Sequence, residues 1–144
     1  METNDVTEHP HRLKRMPVVY LAGGMRSNWQ DRVMEAIPGA IYIDPRRHAF
    51  QDEASYTAWD IKGVETADIV FGFMERDNPS GAGLATEFGF AYAKGKTLVY
   101  VEEKDFPYTR YFGMVRSLAG TGNHRVTLEE GIIALRSVID GGKY

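Results

Sequence analysis

Pro17-Val18-Val19-Tyr20-Leu21-Ala22-Gly23-Gly24 is a short apolar run that stops on two glycines. It reads as a buried strand entering a turn. Asp68-Ile69-Val70-Phe71-Gly72-Phe73-Met74 repeats the pattern with fewer polar residues still, apolar enough for a central strand. Strands without in-and-out alternation are covered on both faces, which is the habit of parallel sheets. Ala40-Ile41-Tyr42-Ile43, stopped by Asp44-Pro45, and Thr97-Leu98-Val99-Tyr100-Val101 supply two more strands. Val126 starts a short strand or extended segment.

Between these runs the spacing predicts helices. Trp29, Val33 and Ile37 share a face of a helix ended by Pro38-Gly39. A second helix spans Tyr56 to Ala67, a third Leu84 to Lys94, and a fourth Arg110 to Leu118. The last opens at Thr127-Leu128-Glu129-Glu130, with Thr127 as N-cap and Glu130 completing a capping box. Polar loops run from Arg46 to about Ser55, from Glu75 to Gly83 and from Glu102 to Thr109. Strands alternating with helices imply one doubly wound α/β domain, a flavodoxin- or Rossmann-like sheet, mostly parallel and of about five strands. Ligands in such sheets bind beyond the carboxyl ends of the strands, at the switch point. The residues following Tyr20, Ile43, Met74 and Val101 are therefore the ones to watch.

Composition narrows the function. The chain has 144 residues, enough for one domain with a real core. It has no cysteine, so disulfides, thiolate metal sites and a cysteine nucleophile are excluded. That absence fits a reducing cytoplasm. A net charge of −3 argues against a nucleic-acid partner. No apolar run reaches the ~20 residues of a membrane span, so no membrane partner is expected. Residues 1–16 are polar and aperiodic, with no apolar stretch behind their charges. They read as a flexible leader rather than a secretory signal, with His9 and His11 as solvated tail residues and the domain occupying 17–144.

Four places can carry chemistry. Gly23-Gly24-Met25-Arg26 follows a strand and precedes a helix, where backbone can approach a ligand and a helix N-terminus favours an anion. A tight βα turn explains the glycines equally well, and the spacing matches no dinucleotide or Walker pattern. Asn78-Pro79-Ser80-Gly81-Ala82-Gly83 leads to Glu87, a carboxylate one turn into a small-residue helix. Gly83, Ala85 and Gly89 would let a substrate or another backbone come close. Asp60 starts or nears the helix before the third strand. Each carboxylate also reads as an ordinary helix residue, but two on one sheet edge suit glycosidic cleavage, one as nucleophile and one handling the leaving-group proton. Tyr20 either fills the core or holds a carboxylate by a hydrogen bond that favours its charged form. Trp29, Phe50, Tyr56, Trp59 and Phe73 can fill core or stack a base, with Trp59 balanced between the two. Arg46 and Arg47 read as a solvated pair, and His48 is a lone signal for a general base.

In order and spacing these pieces resemble the nucleoside 2-deoxyribosyltransferase family. The match runs through Tyr20-Leu21-Ala22-Gly23, Asp60, Ala67-Asp68-Ile69-Val70, Glu87 with Gly89 and Ala91, and Gly95-Lys96, over roughly residues 18–101. The resemblance implies Glu87 as the nucleophile on the anomeric carbon of a 2-deoxyribose. It implies Asp60 as the acid/base or sugar-binding carboxylate and Tyr20 as the residue that orients Glu87. Gly23, Gly24, Met25, Arg26, Trp59, Ser80, Gly81 and Gly83 would bind substrate. No cofactor and no metal are implied, the partner is a small nucleoside or nucleotide, and the assembly is a homodimer or larger homo-oligomer. Tyr108, Arg110, Tyr111 and Arg116 would reach a neighbouring subunit's site. A branch that hydrolyses 2-deoxynucleoside 5-monophosphates resembles residues 24–32, with Arg26 and Arg32 as anion ligands, and Met114-Val115-Arg116. It has serines where this chain has Gly81 and Phe112, and the transferase branch has aspartate at the Gly81 position. A further subgroup shares Asp44-Pro45-Arg46-Arg47 and Trp59. Transfer or hydrolysis at 2-deoxynucleosides is the leading expectation. The alternatives are the monophosphate hydrolase and a non-catalytic nucleotide-binding or sensing domain.

Overall fold

A computed structural model describes residues 15–142 and 144. Most of the expected leader, with His9 and His11, lies outside the described residues. Arg15 near its end makes a bidentate ion pair with Asp68, at 2.7 and 2.8 Å.

The chain runs β1 (Val18–Gly23), α1 (Trp29–Ala36), β2 (Ile41–Ile43), a 3₁₀ turn (Pro45–Arg47), α2 (Glu53–Thr66), β3 (Ile69–Met74), α3 (Ala82–Ala93), β4 (Thr97–Glu102), a second 3₁₀ turn (Thr109–Tyr111), α4 (Gly113–Ala119), β5 (His124–Arg125) and α5 (Leu128–Gly141). The strands lie in the order β2-β1-β3-β4-β5. Every pairing is parallel, for example Tyr20 opposite Val70 and Val70 opposite Leu98. The expected doubly wound five-stranded sheet is the observed one.

Side chains alternate along each strand and separate two cores. Val19, Leu21, Phe71 and Val101 pack with Trp29 and Val33 of α1 and Leu128 and Leu135 of α5. Tyr20, Ala22, Val70 and Met74 pack on the other face with Val64 of α2, Leu84 and Phe88 of α3, and Val115 of α4. β3 is buried along its whole length, as its unbroken apolar sequence requires. The connections from β1 and β3 leave to opposite sides of the sheet, so the crevice beyond their carboxyl ends is the switch point.

Several boundaries differ from the sequence reading, for local reasons. α2 begins at Glu53, one turn before Tyr56, because the Asp52 carboxylate accepts the Ser55 N–H at 2.9 Å and caps the helix. Asp60 therefore sits in mid-helix, not at a helix start. α3 begins at Ala82, two residues early, after Gly81 in the left-handed region. The fourth helix starts at Gly113 because Thr109–Tyr111 winds as a 3₁₀ turn. The last strand is His124–Arg125 and excludes Val126. Thr127 caps α5 as expected, its hydroxyl accepting the Glu130 N–H at 3.1 Å. No helix among the described residues is long and apolar enough to cross a membrane.

Candidate active site

Tyr20 lies in the middle of β1 and is fully buried. Strand alternation turns its ring toward α2 and α3, and the ring fits there because residue 63 is glycine. A Cβ at Gly63 would stand 2.9 Å from the Tyr20 ring and 3.0 Å from the Ile43 side chain. So seated, the Tyr20 hydroxyl donates to Glu87 Oε2 at 2.6 Å.

Glu87 and Asp60 face one cavity of about 520 Å³, together with Gly23, Met25, His48 and Gly83. The cavity opens over the carboxyl end of β1, beside the switch point. Phe50, Gln51 and Tyr56 form its outer wall. His48 comes within hydrogen-bond distance of Asp60, Nε2 to Oδ1 being 3.2 Å. Its ring packs against Phe50 at 5.5 Å and Trp59 at 4.8 Å between centroids.

The electrostatics are those of a carboxylate pair in a poorly hydrated place. Burial pushes the Glu87 carboxyl up to about 8, Asp60 adds to the rise, and the Tyr20 hydrogen bond opposes it. The expected tyrosine donor is present, but loss of water outweighs it. Burial also raises Asp60 above its ordinary value, while His48 and Tyr20 pull it back. The Tyr20 phenol is raised by burial and by both carboxylates, so it stays a donor.

A second cavity, of about 280 Å³, adjoins the first and shares Gly23, Met25, Gly83 and Leu84 with it. Gly24, Arg26, Ser80 and Gly81 line this smaller cavity. Trp59 lines neither and backs the His48 ring instead. Gly81 has φ +80, and a Cβ there would stand 2.9 Å from Phe112 Cζ and collide with the end of Met74. Gly83 faces open space, as does Gly89, which approaches no other backbone.

Other readings change. Trp29 and Phe73 belong to the core, and the Trp29 indole N–H donates to Gly24 O at 2.8 Å. Arg46 is not a solvated partner of Arg47. Its guanidinium binds Asp44 at 2.7–3.1 Å, Asp31 at 2.7 Å and Asn28 at 3.2 Å, tying the loop after β2 to the start of α1. Arg32 pairs with Glu129, away from the carboxylates. Arg116 does not reach outward: it binds the buried Glu102 of its own chain at 2.8 Å. His48, a lone signal in the sequence, stands beside Asp60 in the structure. Its position, just past the carboxyl end of β2 and twelve residues before Asp60, was the available signal.

A parallel α/β sheet with paired carboxylates, one held by a buried tyrosine at the switch point, defines a class of small-ligand site suited to glycosidic chemistry. The family described as nucleoside 2-deoxyribosyltransferase like matches residues 16–105, well over half of the chain, and the protein belongs to it. No curated protein matches the chain in sequence. Among solved structures, a 2-desoxiribosyltransferase from Leishmania mexicana is 19% identical, with a TM-score of 0.53 over 67% of this chain and 71% of that one. The CMP N-glycosidase BcmB from Clostridium botulinum is 21% identical, with a TM-score of 0.56 over 83% and 98%. BlsM is 22% identical, with a TM-score of 0.64 over 88% and 94%. These likenesses establish the shared fold.

Proposed function

We propose that the protein cleaves the N-glycosidic bond of 2-deoxynucleosides and passes the deoxyribosyl group to another base or to water. The observation that carries this is the Tyr20–Glu87 hydrogen bond of 2.6 Å in a cavity that also holds Asp60. Glu87, ionised, attacks the anomeric carbon. The C–N bond breaks with its electron pair on the base nitrogen, which takes a proton from Asp60, and a deoxyribosyl ester of Glu87 results. His48, bonded to Asp60, orients that carboxyl and connects it to the cavity mouth. An incoming base or water, relieved of its proton by the same pair, attacks the anomeric carbon and frees the Glu87 carboxylate. Tyr20 steadies Glu87 as charge leaves and returns to it. The base lies toward Phe50 and Tyr56, whose rings stand at the outer wall. A 2-deoxyribose lacks the electron-withdrawing 2-hydroxyl, so its oxocarbenium-like transition state is reached more easily and two carboxylates suffice.

Incubation with 2-deoxyinosine and free adenine tests the reading. Chromatography should show hypoxanthine with either 2-deoxyadenosine or free deoxyribose. Mass spectrometry of the quenched protein should find a deoxyribosyl adduct on the peptide containing Glu87. No released base, or wild-type release by Glu87→Gln, overturns it.

A further inference from the structure

Arg46 lines neither cavity, and the mechanism above makes no use of it. Its guanidinium nevertheless joins two loops. Nε meets Asp44 Oδ1 and Oδ2 at 3.1 and 2.9 Å, and Nη2 meets Oδ2 at 2.7 Å. On the side of α1, Nη2 reaches Asp31 at 2.7 Å and Nη1 reaches Asn28 at 3.2 Å. Asn28 stands at the N-cap position of α1 in the left-handed region, yet its side chain caps no helix N–H; its Oδ1 accepts from Arg46 instead. The Asp44 side chain is only 6% exposed and also accepts the Arg46 N–H at 3.0 Å. Water supplies little to that carboxylate, so the planar guanidinium fork is what balances its charge.

His48 follows at the end of the same 3₁₀ turn, its N–H donating to Pro45 O at 3.4 Å and its ring 9% exposed. The Phe50 N–H donates to His48 Nδ1 at 3.3 Å. Nδ1 is therefore an acceptor, and the ring proton sits on Nε2, which donates to Asp60 Oδ1 at 3.2 Å. Tautomer and aim both depend on the path of residues 44–50. Arg47, Ala49 and Phe50 stand exposed, so the anchor of that path is the buried Asp44 with Arg46. Resting on the reading of the larger cavity as the glycosidic site, we propose that Arg46 is a positioning residue for protonation of the leaving base: by clamping the loop after β2 to the start of α1, it keeps the His48 Nε2–H on Asp60. With Oδ1 engaged as an acceptor, the Asp60 proton is confined to Oδ2 and offered from one fixed place. A lysine would bring the charge to Asp44 as a point, without the fork that also spans Asp31 and Asn28.

The test uses two substrates that differ in the protonation they need. Hypoxanthine leaves 2-deoxyinosine as an anion unless it is protonated, whereas 7-methylguanine leaves 7-methyl-2-deoxyguanosine as a neutral base. Arg46→Lys should lower kcat by on the order of 10- to 100-fold with the first and by less than about threefold with the second, a share of what a general acid supplies. In an Asp60→Asn background it should cost almost nothing further, as befits two residues that act through one proton. Arg47→Gln is the exposed control and should leave both rates unchanged. Asp31→Ala keeps the Asp44 contact and should show a smaller loss with the same substrate preference, so the comparison survives if Arg46→Lys fails to fold. Nitrogen NMR of the imidazole, assigned by the signals missing from His48→Gln, reads the tautomer without turnover. The wild type should show a protonated Nε2 and a bare Nδ1, and Arg46→Lys an averaged pair. Equal losses with both substrates, additivity with Asp60→Asn, or a His48 spectrum unmoved by Arg46→Lys overturns the proposal. If that spectrum responds but the wild type releases neither base, the glycosidic reading fails and the hold of Arg46 on His48 stands.

Discussion

Glu87 combines two requirements that conflict. In the proposed mechanism it must be charged to attack, yet its surroundings push its carboxyl up to about 8. In that mechanism the Glu87–Asp60 pair shares one proton near neutrality, and the productive arrangement places it on the Asp60 side. From this kcat/KM is expected to fall as pH rises past about 8, where the shared proton is lost and Asp60 can no longer protonate the leaving base. Replacing Asp60 by Asn removes a negative neighbour, so Glu87 should titrate at lower pH and the alkaline limb should disappear. A profile flat through that region in the wild type would remove the shared-proton account. Glu87→Gln preserves shape and deletes the proposed nucleophile. Turnover should drop by about 1,000-fold or more while nucleoside binding survives, as steady-state kinetics and calorimetry would show. Asp60→Asn should slow poor leaving bases far more than good ones, because good ones need less protonation.

At the scale of elements, the site depends on how α2 and α3 lie against β1. The Tyr20 ring occupies the groove that Gly63 leaves open in α2. Gly63→Ala should cost about 1–3 kcal/mol in thermal or denaturant unfolding, since the new methyl would stand 2.9 Å from the fully buried Tyr20 ring. It should also lower kcat by moving the hydroxyl off Glu87. Gly39→Ala, placed where no atom lies within 4 Å of the new methyl, is the control. Four of the five strands were legible in the sequence because unbroken apolar runs have few alternatives in a parallel sheet, whereas His124–Arg125 is polar and gave no such run. The Tyr20–Glu87 approach was legible through the family resemblance, which implies that Tyr20 orients Glu87, and the 2.6 Å hydrogen bond agrees with it. The His48–Asp60 contact was not. It depends on the path of a polar loop, which the Asp44–Arg46–Asp31 ion pairs set and no periodicity records. Nor could spacing reveal that Met74 and Phe112 close the space at Gly81, because that contact joins residues far apart in the chain.

On the scale of the whole molecule, assembly and global stability both bear on the site. Tyr111 and Met114 are 67% and 79% exposed and lie with Tyr108 on one turn-and-helix segment, an apolar patch of the kind that pairs with another copy. Sedimentation should find a dimer or larger assembly, and Met114→Asp should shift it toward monomer; a monomer at every concentration would exclude this. Stability carries the mark of the active site more generally. Unfolded, Glu87 would titrate at the ordinary 4.5, whereas in the folded chain it does so at about 8. Below the lower value both states hold the proton, and Glu87 costs the fold nothing. Between the two values the folded chain retains a proton that the unfolded chain releases, so stability declines as pH rises. Above about 8 the burial of a charged carboxylate is felt in full, on the order of a few kcal/mol. Glu87→Gln, which never ionises, should therefore melt with the wild type at about pH 4 and some 5–10 °C above it at about pH 9. A constant gain across that range would point to altered packing instead, and no gain at high pH would mean that water reaches Glu87 and that its carboxyl is not desolvated.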